Sequence, residues 1–111
     1  MNENLFSYGT LQKDSVQLEL FGRLLTGAKD ILESYKISSV EITDEAFLAK
    51  GEEKFQQTLI ASNDAADVIE GTVFEISEEE LRAADAYEPD NYKRVKITLL
   101  SGKAAWIYLV T

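Results

Sequence analysis

The firmest secondary-structure signal in the chain is SEEELRAADAYEP, residues 77–89. Ser77 precedes Glu80 by three positions. This is the spacing of a capping box, in which each side chain accepts a hydrogen bond from the other residue's backbone amide. A helix is therefore predicted to begin directly after Ser77. Pro89 disfavours helical geometry at the residue before it, so the helix is predicted to end at Glu88.

Apolar or alternating segments on both sides of this helix predict strands. They lie at residues 4–8, 55–61, 68–76, 92–100 and 104–110, while residues 23–42 fit two strands or one bent strand. The polar connection at residues 62–67 predicts a hairpin between the strands that flank it. Ser101-Gly102 predicts a second hairpin, between the last two strands.

Two segments are less clearly patterned. Residues 16–21 fit a strand or a short helix, and we favour the helix because Gly22 follows as a stop. Residues 43–54 are charged and interrupted by Gly51, which is typical of a solvated loop or a frayed helical turn. We therefore predict one α+β domain over residues 1–111, with a compact mixed β-barrel or sheet and one or two flanking helices.

Charge and hydropathy narrow the possible partners. With 20 acidic and 11 basic residues, the net charge of −9 repels phosphate backbones and anionic lipids, so no nucleic-acid or membrane partner is expected. Apolar stretches such as residues 104–110 are far shorter than the roughly 20 residues of a membrane-spanning helix. The sequence has no cysteine, and Met1-Asn2-Glu3-Asn4 does not resemble a secretory signal. We expect a cytoplasmic monomer.

The chain contains no histidine and no cysteine, which removes the usual general base, the thiolate nucleophile and the preferred zinc ligands. Any acid or base must then be a carboxylate, a tyrosine or a lysine. No spacing resembles a calcium loop, and we predict neither a metal nor a cofactor.

Glu88 is the first candidate for chemistry. At about 100° per residue it lies within about 20° of Leu81, on the apolar stripe of the predicted helix. A carboxylate held there is expected to have a pKa raised by desolvation, as a proton shuttle near neutral pH requires. The alternative is a structural ion pair with a nearby cation, Lys93, Arg94 or Lys96, or simple exposure at a frayed helix end.

The second candidate is the turn Tyr8-Gly9-Thr10-Leu11, which follows the first predicted strand. A sharp bend there would gather consecutive backbone amides that could hold a carboxylate or a polarised carbonyl oxygen. The alternative is an ordinary turn, because glycine after a strand is common in turns.

Together these segments resemble the γ-glutamylcyclotransferase-like family, also called AIG2-like. The resemblance spans nearly the whole chain, because several short motifs occur in the same order as in that family. They are LFSYGTL (5–11), GRL (22–24), IEGTVF (69–74), DAYE (85–88), YKR (92–94) and AWIY (105–108).

The resemblance implies a pocket in which Tyr8, Gly9, Thr10 and Leu11 bind the γ-glutamyl part of a small substrate and Glu88 acts as acid and base. The implied reaction is attack of the substrate's α-amine on its own γ-carbonyl, which releases an amine or amino acid and 5-oxoproline. Such a reaction needs no protein nucleophile.

Three residues are candidates for a supporting role, and the function has alternatives. Tyr92 and Arg94 could assist the site, although Arg94 could equally form a structural ion pair, and Asp85 could be a supporting partner or a solvated acid. Residues 43–54 are largely polar and acidic, and we expect none of them to bind the substrate's α-carboxylate. The alternative functions are a non-catalytic module that binds a γ-glutamyl compound or carboxylate, and a purely structural protein.

Overall fold

The computed structural model describes residues 2–110, apart from the side chain of Thr10. The strands are β1 (Asn2–Ser7), β2 (Thr26–Glu33), β3 (Tyr35–Glu41), β4 (Phe55–Ala61), β5 (Val68–Ser77), β6 (Tyr92–Thr98) and β7 (Ala104–Val110). The helices are α1 (Asp14–Phe21), α2 (Glu45–Leu48) and α3 (Glu78–Tyr87), and a 3-10 turn, Thr10–Gln12, follows β1.

The larger sheet has five strands in the order β2-β5-β1-β7-β6. The central strand β1 pairs antiparallel with β5 and parallel with β7, and the remaining pairs are antiparallel. β3 and β4 form a separate two-stranded sheet. The predicted α+β class is confirmed, but the sheet is open rather than a closed barrel, because β2 and β6 remain its two edges.

Alternation along the strands divides the core between the two faces of the sheet. Leu5 and Phe6 are neighbours on β1, and both are buried, one on each face. Leu5 packs with α1, α2 and α3 through a cluster that includes Val16, Phe47 and Leu81. Phe6 packs on the other face in a cluster formed by Leu32, Leu59, Ile69, Val73, Leu99, Ala105 and Ile107. β1 is therefore packed on both faces, and this packing fixes the position at which the chain leaves the strand.

The helix signals correspond to the structure. Ser77 and Glu80 form both hydrogen bonds of the capping box, at 3.1 and 2.9 Å. The favoured helix before Gly22 is α1, and Gly22 ends it with a left-handed φ of 71°. The last hairpin is also confirmed, since β6 and β7 pair around Ser101-Gly102.

The hairpin predicted between residues 55–61 and 68–76 is wrong. Both segments are strands, but β4 pairs with β3, and β5 pairs with β1 and β2. β5 buries Val73 and Phe74, which are adjacent and point to opposite faces, so this strand is stabilised inside the large sheet. Residues 23–42 form two strands separated by Ser34, whose φ is 66°.

Candidate active site

The candidate site lies where the parallel strands β1 and β7 both end. The Oη of Tyr8, just beyond β1, donates a hydrogen bond to the carbonyl oxygen of Tyr108 on β7, at 2.6 Å. β6 begins beside the same end, because Tyr92 pairs with Val110. The ends of β1 and β7 and the start of β6 therefore surround one opening.

A cavity of about 560 Å³ occupies this position. Its lining includes Tyr8, Gly9, Leu11, Glu88 and Tyr92, all of them predicted site residues. The backbone of Thr10 belongs to the 3-10 turn beside them, and its side chain lies outside the described part of the structure. The N-terminal turn and the acid at the end of α3 thus share one cavity.

Glu88 reaches the cavity because α3 ends there. Its backbone is extended, with φ −67° and ψ 151°, while its amide still donates to the carbonyl oxygen of Ala84 at 3.1 Å. The pKa of Glu88 is raised to about 7: burial is the largest cause, the charge of Lys50 opposes it, and the charges of Glu52 and Asp85 add to it. Among the described residues, no side chain forms an ion pair with Glu88. Its burial supports the expected rise in pKa, and the described residues do not form the alternative ion pair of Glu88 with Lys93, Arg94 or Lys96.

The turn at Gly9 is tight, but glycine is not needed for its backbone conformation. The amide of Gln12 donates to the Gly9 carbonyl oxygen at 3.1 Å, which closes the turn. Gly9 does not have a left-handed φ, and a methyl group added to it would meet no protein atom within 4 Å. The Gly9 amide donates to Ser7 Oγ at 3.4 Å. The first amides of the following 3-10 turn lack partners within that turn and are placed to meet a ligand.

Tyrosines form much of the polar wall. Tyr92 Oη donates to the Gln57 carbonyl oxygen at 2.5 Å, which joins β6 to β4. Burial, followed by the charge of Glu88, raises the pKa of Tyr92 to about 12. Burial also raises the pKa of Tyr8 well above its usual value. Both phenols therefore stay protonated and neutral near neutral pH.

Asp85 and Arg94 do not line the cavity; they form an ion pair with each other, with Arg94 Nε 3.2 Å from Asp85 Oδ1. Arg94 also lies over the Trp106 ring, 4.3 Å from its centroid. Asp85 accepts a hydrogen bond from Tyr108, which does line the cavity. Both residues therefore lie behind the cavity wall. The structure contains the ion pair that was the alternative role for Arg94.

A sequence model of the family described as γ-glutamyl cyclotransferase, AIG2-like, matches residues 5–111. The chain belongs to this family. No curated protein sequence matches it.

Solved structures share the fold of this AIG2-like chain. A solution structure from Arabidopsis thaliana has 19% identity and a TM-score of 0.72, with 99% of this chain and 62% of that one covered. A protein titled γ-glutamyl cyclotransferase has 18% identity and a TM-score of 0.71, with 100% and 68% covered. YkqA from Bacillus subtilis has 22% identity and a TM-score of 0.67, with 100% and 36% covered. The AIG2-like chain therefore spans about two thirds or less of these structures.

Sequence reasoning missed the contribution of residues 43–54 to the AIG2-like site. Phe47 of α2 is buried and packs edge-on against Tyr87, with ring centroids 6.0 Å apart. Lys50 Nζ donates to the Tyr87 carbonyl oxygen at 2.9 Å, and Glu52 accepts a hydrogen bond from Tyr87 Oη. The available signal was Asp44, whose side chain caps α2 three residues before the lone aromatic of this segment.

Residues 2–110 contain no group of three or more His, Cys, Asp and Glu side chains placed to hold a metal ion. The same residues include no helix long and apolar enough to cross a membrane.

Proposed function

We propose that the protein cyclises a γ-glutamyl amine or γ-glutamyl peptide to 5-oxoproline. The substrate's α-nitrogen attacks its γ-carbonyl carbon, a carbon–nitrogen bond forms within the substrate, and the bond to the leaving nitrogen breaks. The products are 5-oxoproline and a free amine or amino acid. The single observation that carries this proposal is the shared cavity of Glu88 and the Gly9 turn.

Glu88 is proposed as the acid and base of the reaction. With a pKa of about 7, its carboxylate can take a proton from the substrate's α-ammonium group and return one to the leaving nitrogen. One group can serve both steps because its charged and neutral forms are both populated near neutral pH. The substrate supplies the nucleophile, which accords with a chain that contains no histidine or cysteine.

Positioning and electrostatics are proposed to do the remaining work. The substrate's amine and carbonyl are linked and can form a five-membered ring, so holding them in the reactive orientation removes much of the entropic barrier. Backbone amides of the turn at Tyr8, Gly9, Thr10 and Leu11 are proposed to hold the γ-glutamyl part and the developing oxyanion. Tyr92 and Tyr108 keep the adjacent wall in place through their own hydrogen bonds.

A panel of γ-glutamyl amines and peptides tests the proposal. We expect the purified protein to release 5-oxoproline from at least one of them, and Glu88→Gln to lose at least about a hundredfold in kcat/KM, as removal of a general acid–base does. Glu33→Gln is the matched control, because Glu33 is exposed at the end of β2 and does not line the cavity. Full activity in Glu88→Gln would overturn the assignment.

A calorimetric titration with the same panel separates this enzyme from a module that only binds. Binding without release of 5-oxoproline would show that the pocket recognises its ligand without turning it over. Neither binding nor release would remove the proposed substrate class altogether.

A further inference from the structure

Three acidic side chains besides Glu88 line the cavity. Glu19 belongs to α1, while Glu52 and Glu53 follow α2. We refer to these three carboxylates as the acidic mouth. Within residues 2–110, none of them forms an ion pair. No lysine or arginine of the described residues is therefore paired with these charges, although Glu52 accepts a hydrogen bond from Tyr87.

Two members of the acidic mouth, Glu19 and Glu52, act on Tyr87, the residue before Glu88. Tyr87 Oη donates a hydrogen bond to Glu52. Burial raises the pKa of Tyr87, and the negative charges of Glu52, Glu19 and Glu88 raise it further. Glu19 and Glu52 come from different parts of the chain, and both line the same cavity.

Nearby positive charges do not cancel the acidic mouth. Among the described residues that line the cavity, Lys13 is the one basic residue. Lys50 is held against Tyr87, with its Nζ 4.6 Å from the ring centroid. Lys54 pairs with Glu41 at 2.9 Å. Even with Glu88 protonated, three carboxylates face the two ammonium groups of Lys13 and Lys50, and ionisation of Glu88 adds a fourth negative charge.

The leaving group of the substrate has to pass the acidic mouth. Glu88 is proposed to protonate the leaving nitrogen, so the rest of the leaving group extends from Glu88 through the cavity toward solvent. Phe55, which is 63% exposed, also lines this cavity beside Glu53. The ammonium group of Lys54 already lies 5.8 Å from the centroid of this ring, so an aromatic face next to carboxylates attracts a cation here.

We propose that the acidic mouth selects γ-glutamyl substrates whose leaving group carries a positive charge in addition to the scissile nitrogen. The mono-γ-glutamyl derivative of a linear diamine has this form. A leaving group that ends in a carboxylate is disfavoured, because it would meet like charges at the mouth. This inference rests on the proposed function, since it names the leaving group of that reaction.

Three substrates of equal length test the selectivity. Their leaving groups are a linear diamine, an alkylamine with a methyl group in place of the terminal ammonium, and an ω-amino acid with a terminal carboxylate. We expect kcat/KM to fall in that order. The preference for the diamine over the alkylamine should shrink in high salt, because salt screens exposed charges.

Charge-removing variants assign the selectivity to particular residues. In the triple variant Glu19→Gln, Glu52→Gln, Glu53→Gln, the kcat/KM for the diamine substrate divided by that for the alkylamine substrate should fall about tenfold. This is the size expected for three partly exposed charges acting together. Glutamine at Glu33, Glu70 and Glu78 is the control, because these exposed acids lie outside the cavity and their replacement changes the net charge equally. The control should keep the ratio of the unchanged protein.

The outcomes distinguish the selectivity from the reaction itself. Equal kcat/KM for the three substrates, or a ratio that survives in the triple variant, would overturn the selectivity while the cyclisation stands. If none of the three is cyclised, the proposed reaction fails for them, and calorimetric binding of the same compounds still decides the selectivity. Equal affinities would then refute it.

Discussion

Tyr108 and Asp85 connect the last strand to the helix that presents Glu88, since Tyr108 Oη lies 2.6 Å from Asp85 Oδ1. Arg94 holds the same carboxylate from β6, at 3.2 Å. Tyr108 faces the cavity while Asp85 lies behind it. This contact therefore fixes the distance between the strand end and the end of α3.

Removing the Asp85 carboxylate should destabilise the fold. Asp85→Ala leaves the buried Tyr108 hydroxyl without its short hydrogen bond, so we expect the free energy of unfolding to fall by about 1–3 kcal/mol. Asp85→Asn keeps an acceptor oxygen and should lose less. Urea denaturation of both variants measures the difference, and equal losses would argue against a specific role for this bond.

Glu88 should give the protein a pH-dependent stability. Burial raises its pKa from 4.5 to about 7, so the folded state holds a proton that the unfolded chain releases at lower pH. The resulting stability is fully present below about pH 4.5 and is lost as the pH rises through about 7, a change of about 3 kcal/mol.

Comparison with Glu88→Gln isolates this contribution, because glutamine does not titrate. The variant should gain stability relative to the unchanged protein as the pH rises from about 5 to about 8, as measured by urea denaturation at each pH. A constant difference across that range would mean that the pKa of Glu88 is ordinary in the folded state.

Lys50 should tune the same titration. Its positive charge lowers the pKa of Glu88, so Lys50→Met should move the Glu88 titration to higher pH. The variant also loses the hydrogen bond to the Tyr87 carbonyl, at a cost of about 1 kcal/mol. Carboxyl NMR of Glu88 follows the titration directly. Lys36→Met is the control, because Lys36 pairs with Asp67 instead, at 3.7 Å.

Alanine substitution should affect activity at Gly9 and stability at Gly71. An added methyl group at Gly9 meets no protein atom, so Gly9→Ala should change stability by less than about 0.5 kcal/mol while lowering kcat/KM through contact with substrate. At Gly71 the methyl group would overlap the Ser7 carbonyl oxygen and lie 2.7 Å from the Phe6 ring. Gly71→Ala should therefore destabilise by about 1–3 kcal/mol. Thermal unfolding and substrate kinetics of both variants make the comparison.

The elements that could be predicted from sequence are those specified by local interactions. The Ser77 capping box and the Ser101-Gly102 turn act within a few residues, so they determine α3 and the last hairpin wherever the rest of the chain lies. Helical periodicity and Pro89 indicated where the Glu88 side chain is presented, but they left an ion pair or exposure open, and the resemblance to the family singled out Glu88 as the acid and base.

The elements that could not be predicted depend on distant partners. The polar run at residues 62–67 suggested a hairpin, but its ends bond to Ser34, whose amide donates to the Asp67 carbonyl oxygen at 2.8 Å. β5 instead gains burial on both faces by entering the large sheet. Lys50 has no periodic signal, and its place follows from the packing of Phe47 against Tyr87.

The parallel pairing of β1 with β7 has a consequence for how the protein is made. Leu5 lies opposite Trp106, and Tyr8 is bonded to Tyr108, a separation of 100 residues. A nascent chain on the ribosome can form α3 from its own capping box, but the cavity lacks part of its wall until β7 emerges. Glu88 thus emerges before β7 has completed the wall around it, and closing so long a loop makes this pairing a slow event in folding.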